Sequence, residues 1–236
     1  MLINKYLSHV FVKNLVELFF PECCVNCHRI VEEPKFYLCY LCISEIPLTH
    51  YSFYWYNPLE ISFKGRVELV SGASLMYFEK GGLVQKMLHE IKYRQKPAIA
   101  SFFGKWLGAE MLASKRFESV DMILPLPLHK DKKKQRGYNQ SEYFGKALAE
   151  TMGKEYRDDL LLRLAGAESQ TNKDRSDRML AIDNEYMVTD GNFLIKRHVM
   201  IVDDIITSGA TLQACSAAFL SLPDIRLSFA SIAFTP

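Results

Sequence analysis

The strongest constraint on the fold lies near the carboxyl end of the sequence, in Val199-Met-Ile-Val-Asp-Asp-Ile-Ile-Thr-Ser-Gly-Ala-Thr-Leu212. An apolar strand runs into two adjacent acids, then into a short loop of small and hydroxyl residues, then into a helical stretch. In an open α/β sheet, ligands sit at the carboxyl ends of strands. A helix N-terminus there offers free N–H groups and partial positive charge, which suits a phosphate. Thr207, Ser208 and Thr211 add hydroxyl donors, and Gly209 and Ala210 keep the loop slim enough for close approach. Asp203 and Asp204 can accept from a sugar diol or organise a divalent cation through water. Helix capping accounts for one acid or one hydroxyl, but not for both acids followed by TSGAT.

The rest of the chain supplies the context such a loop needs. Strand-like and helical stretches alternate: a strand over 67–78, helices over 83–93 and 97–114, a strand over 122–124, a helix over 140–152, a strand near 160–164, a strand over 193–202 broken by Lys196-Arg197-His198, a helix over 211–222 and a strand over 225–233. Alternation of this kind predicts an α/β fold with a mainly parallel sheet. Residues 49–65 read as an irregular aromatic linker. His129 to Arg136, HKDKKKQR, holds five basic residues and one acid besides His129, and reads as a solvated loop or an anion-binding lip. The net charge of +2 is too small to point to nucleic acid by itself.

Five of six cysteines fall within residues 23–42. Cys24-x2-Cys27 and Cys39-x2-Cys42 form two knuckles, the pattern of a tetrahedral thiolate site for structural zinc. Cys23 can replace Cys24 at this stage, and His28 and His50 are weaker substitutes. Cys215 reads as a small core residue. Residues 2–19 are apolar at helical spacing and end at Pro21, an amphipathic helix rather than a signal peptide, because Lys13, Asn14 and Glu17 interrupt it. No stretch has the length of a membrane span. With no export signal, a cytoplasmic protein is expected. The domain organisation expected is 1–20 amphipathic helix, 21–48 zinc module and 49–236 α/β domain.

At Val199–Leu212 the sequence resembles the PRPP-binding signature of type I phosphoribosyltransferases. Asp121-Met-Ile-Leu-Pro-Leu-Pro-Leu-His129, Arg136-Gly-Tyr-Asn-Gln-Ser141, Lys92-Tyr93, the segment Gln170–Arg178 and the double-cysteine module together resemble the ComF family over nearly the whole chain. Ser208 stands where a second Thr is common, and Ala181 where Asn is common. The resemblance implies a type I phosphoribosyltransferase-like domain behind a zinc module. Asp203 and Asp204 would then contact the ribose hydroxyls, and Thr207, Ser208, Gly209, Ala210 and Thr211 would cradle the 5-phosphate. Leu126 to Lys130, including Leu128 and His129, would take the place of the pyrophosphate loop. Arg136, Gln140, Gln170, Arg175 and Arg178 would lie on the substrate face, with 168–178 as a mobile hood. PRPP with magnesium is the implied ligand. The implied role is DNA uptake in natural competence, with single-stranded DNA or a competence-machinery protein as partner. The alternative is an active phosphoribosyltransferase whose acceptor the sequence does not name.

Overall fold

The computed structural model describes residues 21, 23–31, 37–94, 96–164 and 185–236. The helix expected over 1–20, the hood, and Gln170, Arg175, Arg178 and Ala181 lie outside the described residues. The chain divides into two compact units, Met1–Ile46 and Pro47–Pro236. No described helix is long and apolar enough to cross a membrane.

In the first unit, Cys23 and Ile30 form an antiparallel bridge around a turn. Cys24 N donates to Arg29 O at 2.8 Å and Val25 N to Tyr37 O at 3.0 Å, bringing the two knuckles together. A short helix, α1 (Tyr40–Ser44), follows with Cys42 buried.

The second unit is built on a five-stranded parallel sheet. Its strands are β1 (Leu69–Tyr77), β2 (Met122–Pro125), β3 (Glu155–Tyr156), β6 (His198–Ile206) and β7 (Arg226–Phe234), in the order β1-β7-β6-β2-β3. β4 (Leu161–Arg163) and β5 (Tyr186–Val188) form a separate antiparallel pair. The fold is therefore α/β with a mainly parallel sheet, as the alternation predicts. β2, β6 and β7 are buried along almost their whole length, as strands inside a parallel sheet are. Helices α3 (Leu83–Tyr93), α4 (Pro97–Ser114) and α6 (Gln140–Met152) keep the limits expected from their periodicity. Ala100, Phe103, Leu107 and Met111 of α4 are all buried. α4 meets α6 through Gly104, where an added Cβ would lie 2.4 Å from Phe144 O.

The structure departs from these expectations at five places. HKDKKKQR is not a loop: α5 (Lys130–Arg136) is a helix, capped by His129 Nδ1 accepting from Asp131 N and closed by Gly137 at φ 79°. It buries no residue, so no apolar period marks it. The stretch 193–202 is not one interrupted strand. Residues Gly191–Leu194 form a short helix, α7, with Asp190 accepting from Phe193 N, and β6 starts only at His198. β6 then continues to Ile206, so the two acids lie within the strand rather than beyond it. The following helix, α8, spans Ala210–Ala217, after which i→i+3 hydrogen bonds turn the chain through Leu222. Finally, 49–65 is not irregular throughout: it holds a 3-10 turn (Tyr51–Phe53) and α2 (Pro58–Phe63), capped by Asn57.

Candidate functional site

The order of the strands makes a crevice. β2 leads through α6 outward to β3, whereas β6 leads through α8 to β7 on the opposite side. The carboxyl end of β2 lies beside the middle of β6, with Pro125 paired to Val202, the residue before the two acids. Their following loops therefore part from one another, which is the switch point where open α/β sheets bind ligands. Leu126–Lys130 leaves one lip and Thr207–Thr211 the other.

The acids stand between these lips. Asp204 is buried. Its Oδ2 accepts from Gln140 Nε2 at 2.8 Å and pairs with Lys92 Nζ at 2.8 Å. Asp203 Oδ1 accepts from Ser141 Oγ at 3.0 Å and from Asp204 N at 2.8 Å. Burial first, and the neighbouring Asp204 second, push the Asp203 carboxyl up to about 7. Gln140 and Ser141 occupy the first turn of α6. Asn139 fixes that turn: its Oδ1 accepts from Ser141 N at 3.1 Å and its Nδ2 donates to Leu126 O at 2.9 Å. One side chain thus ties the Leu126–Lys130 lip to the helix that holds the acids.

In the hydroxyl loop, Thr207, Ser208, Ala210 and Thr211 are exposed and Gly209 is buried. With Asp203 they line a small hollow at the start of α8. Gly209 sits at φ 72°, a left-handed conformation, and an added Cβ would meet the Phe63 ring at 2.6 Å. Arg66 supports the loop from outside, donating from NH1 to Ser208 O at 2.8 Å and from Nε to Gln213 Oε1 at 2.9 Å. Phe63 and Arg66 belong to the stretch around the expected linker. Nothing local in the sequence marks them as backing for a loop some 140 residues on.

The remaining candidates are placed as follows. Leu128 and His129 are half-buried and Lys130 is exposed. Arg136 is half-buried, with its guanidinium 5.4 Å from the Tyr93 ring centre. Tyr138 donates to Ile91 O and packs edge-on against Tyr143 at 5.6 Å. Lys92, next to Tyr93 on α3, is brought onto Asp204 by tertiary folding alone. A larger hollow, about 770 Å³, lies beside α8 among residues such as Arg66, Gln213, Phe219 and Leu227, and the two acids do not line it.

In the first unit, the sulfurs of Cys24, Cys27, Cys39 and Cys42 all lie within 4.8 Å of one another, with Cys27 and Cys39 at 3.5 Å. A tetrahedron with metal–sulfur bonds of about 2.3 Å has sulfurs about 3.8 Å apart, so the set fits a thiolate-bound metal. Cys23 is outside the group and its sulfur faces Pro21 O at 3.4 Å. His50 belongs to the second unit, where its Nδ1 lies 3.7 Å from Glu110. Burial works to raise the Cys24 thiol, but backbone N–H groups of Cys27, Cys39 and Asn26 outweigh it and bring the pKa down to about 6. Burial pushes Cys42 up to about 12, although Asn26 Nδ2 donates to its sulfur at 3.3 Å. No other set of three or more His, Cys, Asp or Glu ligands forms among the described residues.

A five-stranded parallel sheet with paired acids and a hydroxyl loop at its switch point is consistent with a phosphoribosyltransferase-like fold, here carried with a four-cysteine cluster. No protein-family model matches the chain. Among curated proteins it is similar to competence protein ComFC of Streptococcus pneumoniae, 27% identical over 193 residues, covering 81% of this chain and 71% of that one. It is also similar to DNA utilization protein YhgH of Escherichia coli O157:H7, 25% identical over 140 residues, covering 57% and 60%. Competence protein F of Haemophilus influenzae is 28% identical over 134 residues, covering 55% and 58%. The ComF resemblance is borne out by these relatives, of which YhgH and competence protein F are matched over about 60% of their own length.

Proposed function

We propose that this chain is a ComF-type protein that binds PRPP or a related ribose 5-phosphate ligand and acts in DNA uptake. The observation that carries the ligand reading is the convergence of Asp203, Asp204, Ser141 and Gln140 beside the exposed hydroxyls of Thr207, Ser208 and Thr211. The acids accept from a sugar diol. The loop and the N-terminus of α8 donate to a 5-phosphate. Leu126–Lys130 faces the anomeric substituent across the crevice. Magnesium, where PRPP is the ligand, would supply charge neutralisation at the pyrophosphate. Zinc is the metal proposed for the four cysteines, with a structural role because four thiolates leave no open position.

The competence role rests on the names of the relatives. The direct DNA contact proposed is the exposed basic helix α5, with Tyr93, Tyr138 and Tyr143 nearby for base stacking. The second reading is a retained transferase activity: burial and the neighbouring Asp204 raise the Asp203 carboxyl, which would suit a group that takes and returns a proton.

The test of the ligand reading is Asp203→Ala with Asp204→Ala. Removing two negative charges near a polyanion should by charge alone tighten binding. Loss of PRPP binding in calorimetry, by protein that circular dichroism shows to be folded, is the expected outcome, because each charge-assisted hydrogen bond is worth roughly 1.5–3 kcal/mol. Tighter binding by the double variant would reduce the site to a generic anion site at a helix N-terminus.

A further inference from the structure

The paired acids come with a cation of their own. Lys92 lies in the last turn of α3, with its side chain 20% exposed, and its Nζ is 2.8 Å from Asp204 Oδ2, whose side chain is 4% exposed. Gln140 Nε2 donates to that same oxygen. Gln140 Oε1 is then left buried without a hydrogen-bond partner, although Gln140 is only 2% exposed. Asp203 Oδ1 is occupied by Ser141 and by the Asp204 amide.

Two adjacent carboxylates beside a phosphate loop repel a sugar phosphate, and in a largely buried site salt screens that repulsion little. A hydrated divalent cation is one remedy. Magnesium wants near-octahedral oxygen at about 2.0–2.1 Å and gives up its waters reluctantly. Here one oxygen of each acid is already taken by protein donors, and at Asp204 one of those donors is an ammonium. Resting on the phosphoribosyl reading above, we infer that Lys92 is the resident cation of the acid pair, so that a ribose monophosphate binds without a divalent metal. Gln140 Oε1 is the acceptor left for a sugar hydroxyl. Lys92 acts through Asp204 and is a positioning residue: it aims the carboxylate and compensates its charge. The metal requirement is thereby confined to ligands that carry a pyrophosphate.

The experiment is calorimetry of the full-length protein with ribose 5-phosphate, in EDTA and in excess magnesium. Wild-type affinity is expected to change by less than roughly threefold between the two. Lys92→Met should lose roughly tenfold or more in EDTA and recover part of the loss with magnesium. Lys92→Arg, which keeps the charge, should keep binding in EDTA. Wild-type binding that appears only with magnesium overturns the inference and leaves the phosphoribosyl reading standing. So does Lys92→Met binding in EDTA as tightly as wild type. Absence of binding by folded wild-type protein in both conditions overturns both. The wild-type comparison needs no variant to fold.

Discussion

His198 shows how a single polar residue is accommodated in the interior of the sheet. It opens β6 and is fully buried. Its Nε2 is 2.7 Å from Ser228 Oγ, its Nδ1 is 3.0 Å from Ser119 Oγ, and its backbone N–H donates to Asp121 Oδ2 at 2.7 Å. Ser228 in turn reaches Ser71 Oγ at 2.8 Å. Burial, reinforced by the nearby Arg226, lowers the imidazole from its ordinary 6.5 to about 4. The native state therefore holds the neutral ring, and the unfolded chain binds a proton first. The resulting stability is complete above pH 6.5 and drains away as pH falls toward 4. At 1.36 kcal/mol per pH unit this amounts to about 3 kcal/mol. Urea midpoints measured across that window should fall, and His198→Gln should flatten the fall while lowering stability at neutral pH. An equal slope in the variant would remove His198 as its source.

At the level of elements, α5 is the part of the protein where charge replaces burial. Its five basic residues are held in a helix by the caps at His129 and Gly137, with Lys133 Nζ 2.8 Å from Glu142 Oε1. If this helix touches DNA, replacing Lys132, Lys133 and Lys134 with Ala should weaken single-stranded DNA binding. The slope of log affinity against log salt should fall by about 2, at about 0.7 for each phosphate no longer neutralised. Fluorescence anisotropy over a salt series measures this. Unchanged binding would shift the partner role to a protein. The same helix explains what the sequence conceals. α4 and α6 were legible because burial writes a period of apolar residues into them, whereas α5 buries nothing and writes none. The start of β6 was misplaced for the converse reason: a charged-looking Lys196-Arg197-His198 hides a histidine whose polar atoms are satisfied inside the core.

For the whole molecule, the two units differ in what holds them. The second has a sheet with helices packed against it. The first carries a cluster of four thiols, so a metal held there would contribute directly to its folding. Metal analysis should find one zinc per chain, and Cys39→Ala with Cys42→Ala should abolish it. Less than a third of an equivalent in carefully prepared wild-type protein would contradict the assignment. The cysteine pairs and the acid–hydroxyl loop could be read directly because each is contiguous or nearly so. The Lys92 pair to Asp204 and the Arg66 prop beneath Ser208 could not, since they exist only once distant segments meet. Choice between Cys23 and Cys24 likewise awaited the backbone hydrogen bonds that turn one sulfur inward.

The place of β7 has a consequence for how such a chain comes into being. This strand, near the carboxyl end of the sequence, is wedged between β1 and β6, and Ser71 and Ser228 are joined across 157 positions. On a ribosome β1 emerges early and must wait, its inner edge unpaired, until residues 226–234 have left the exit tunnel. Non-local parallel pairing of this sort is slow, and an unpaired strand edge is adhesive. Assembly of the sheet therefore waits for β7, and nascent chains stalled before residue 226 are the species most in need of a chaperone.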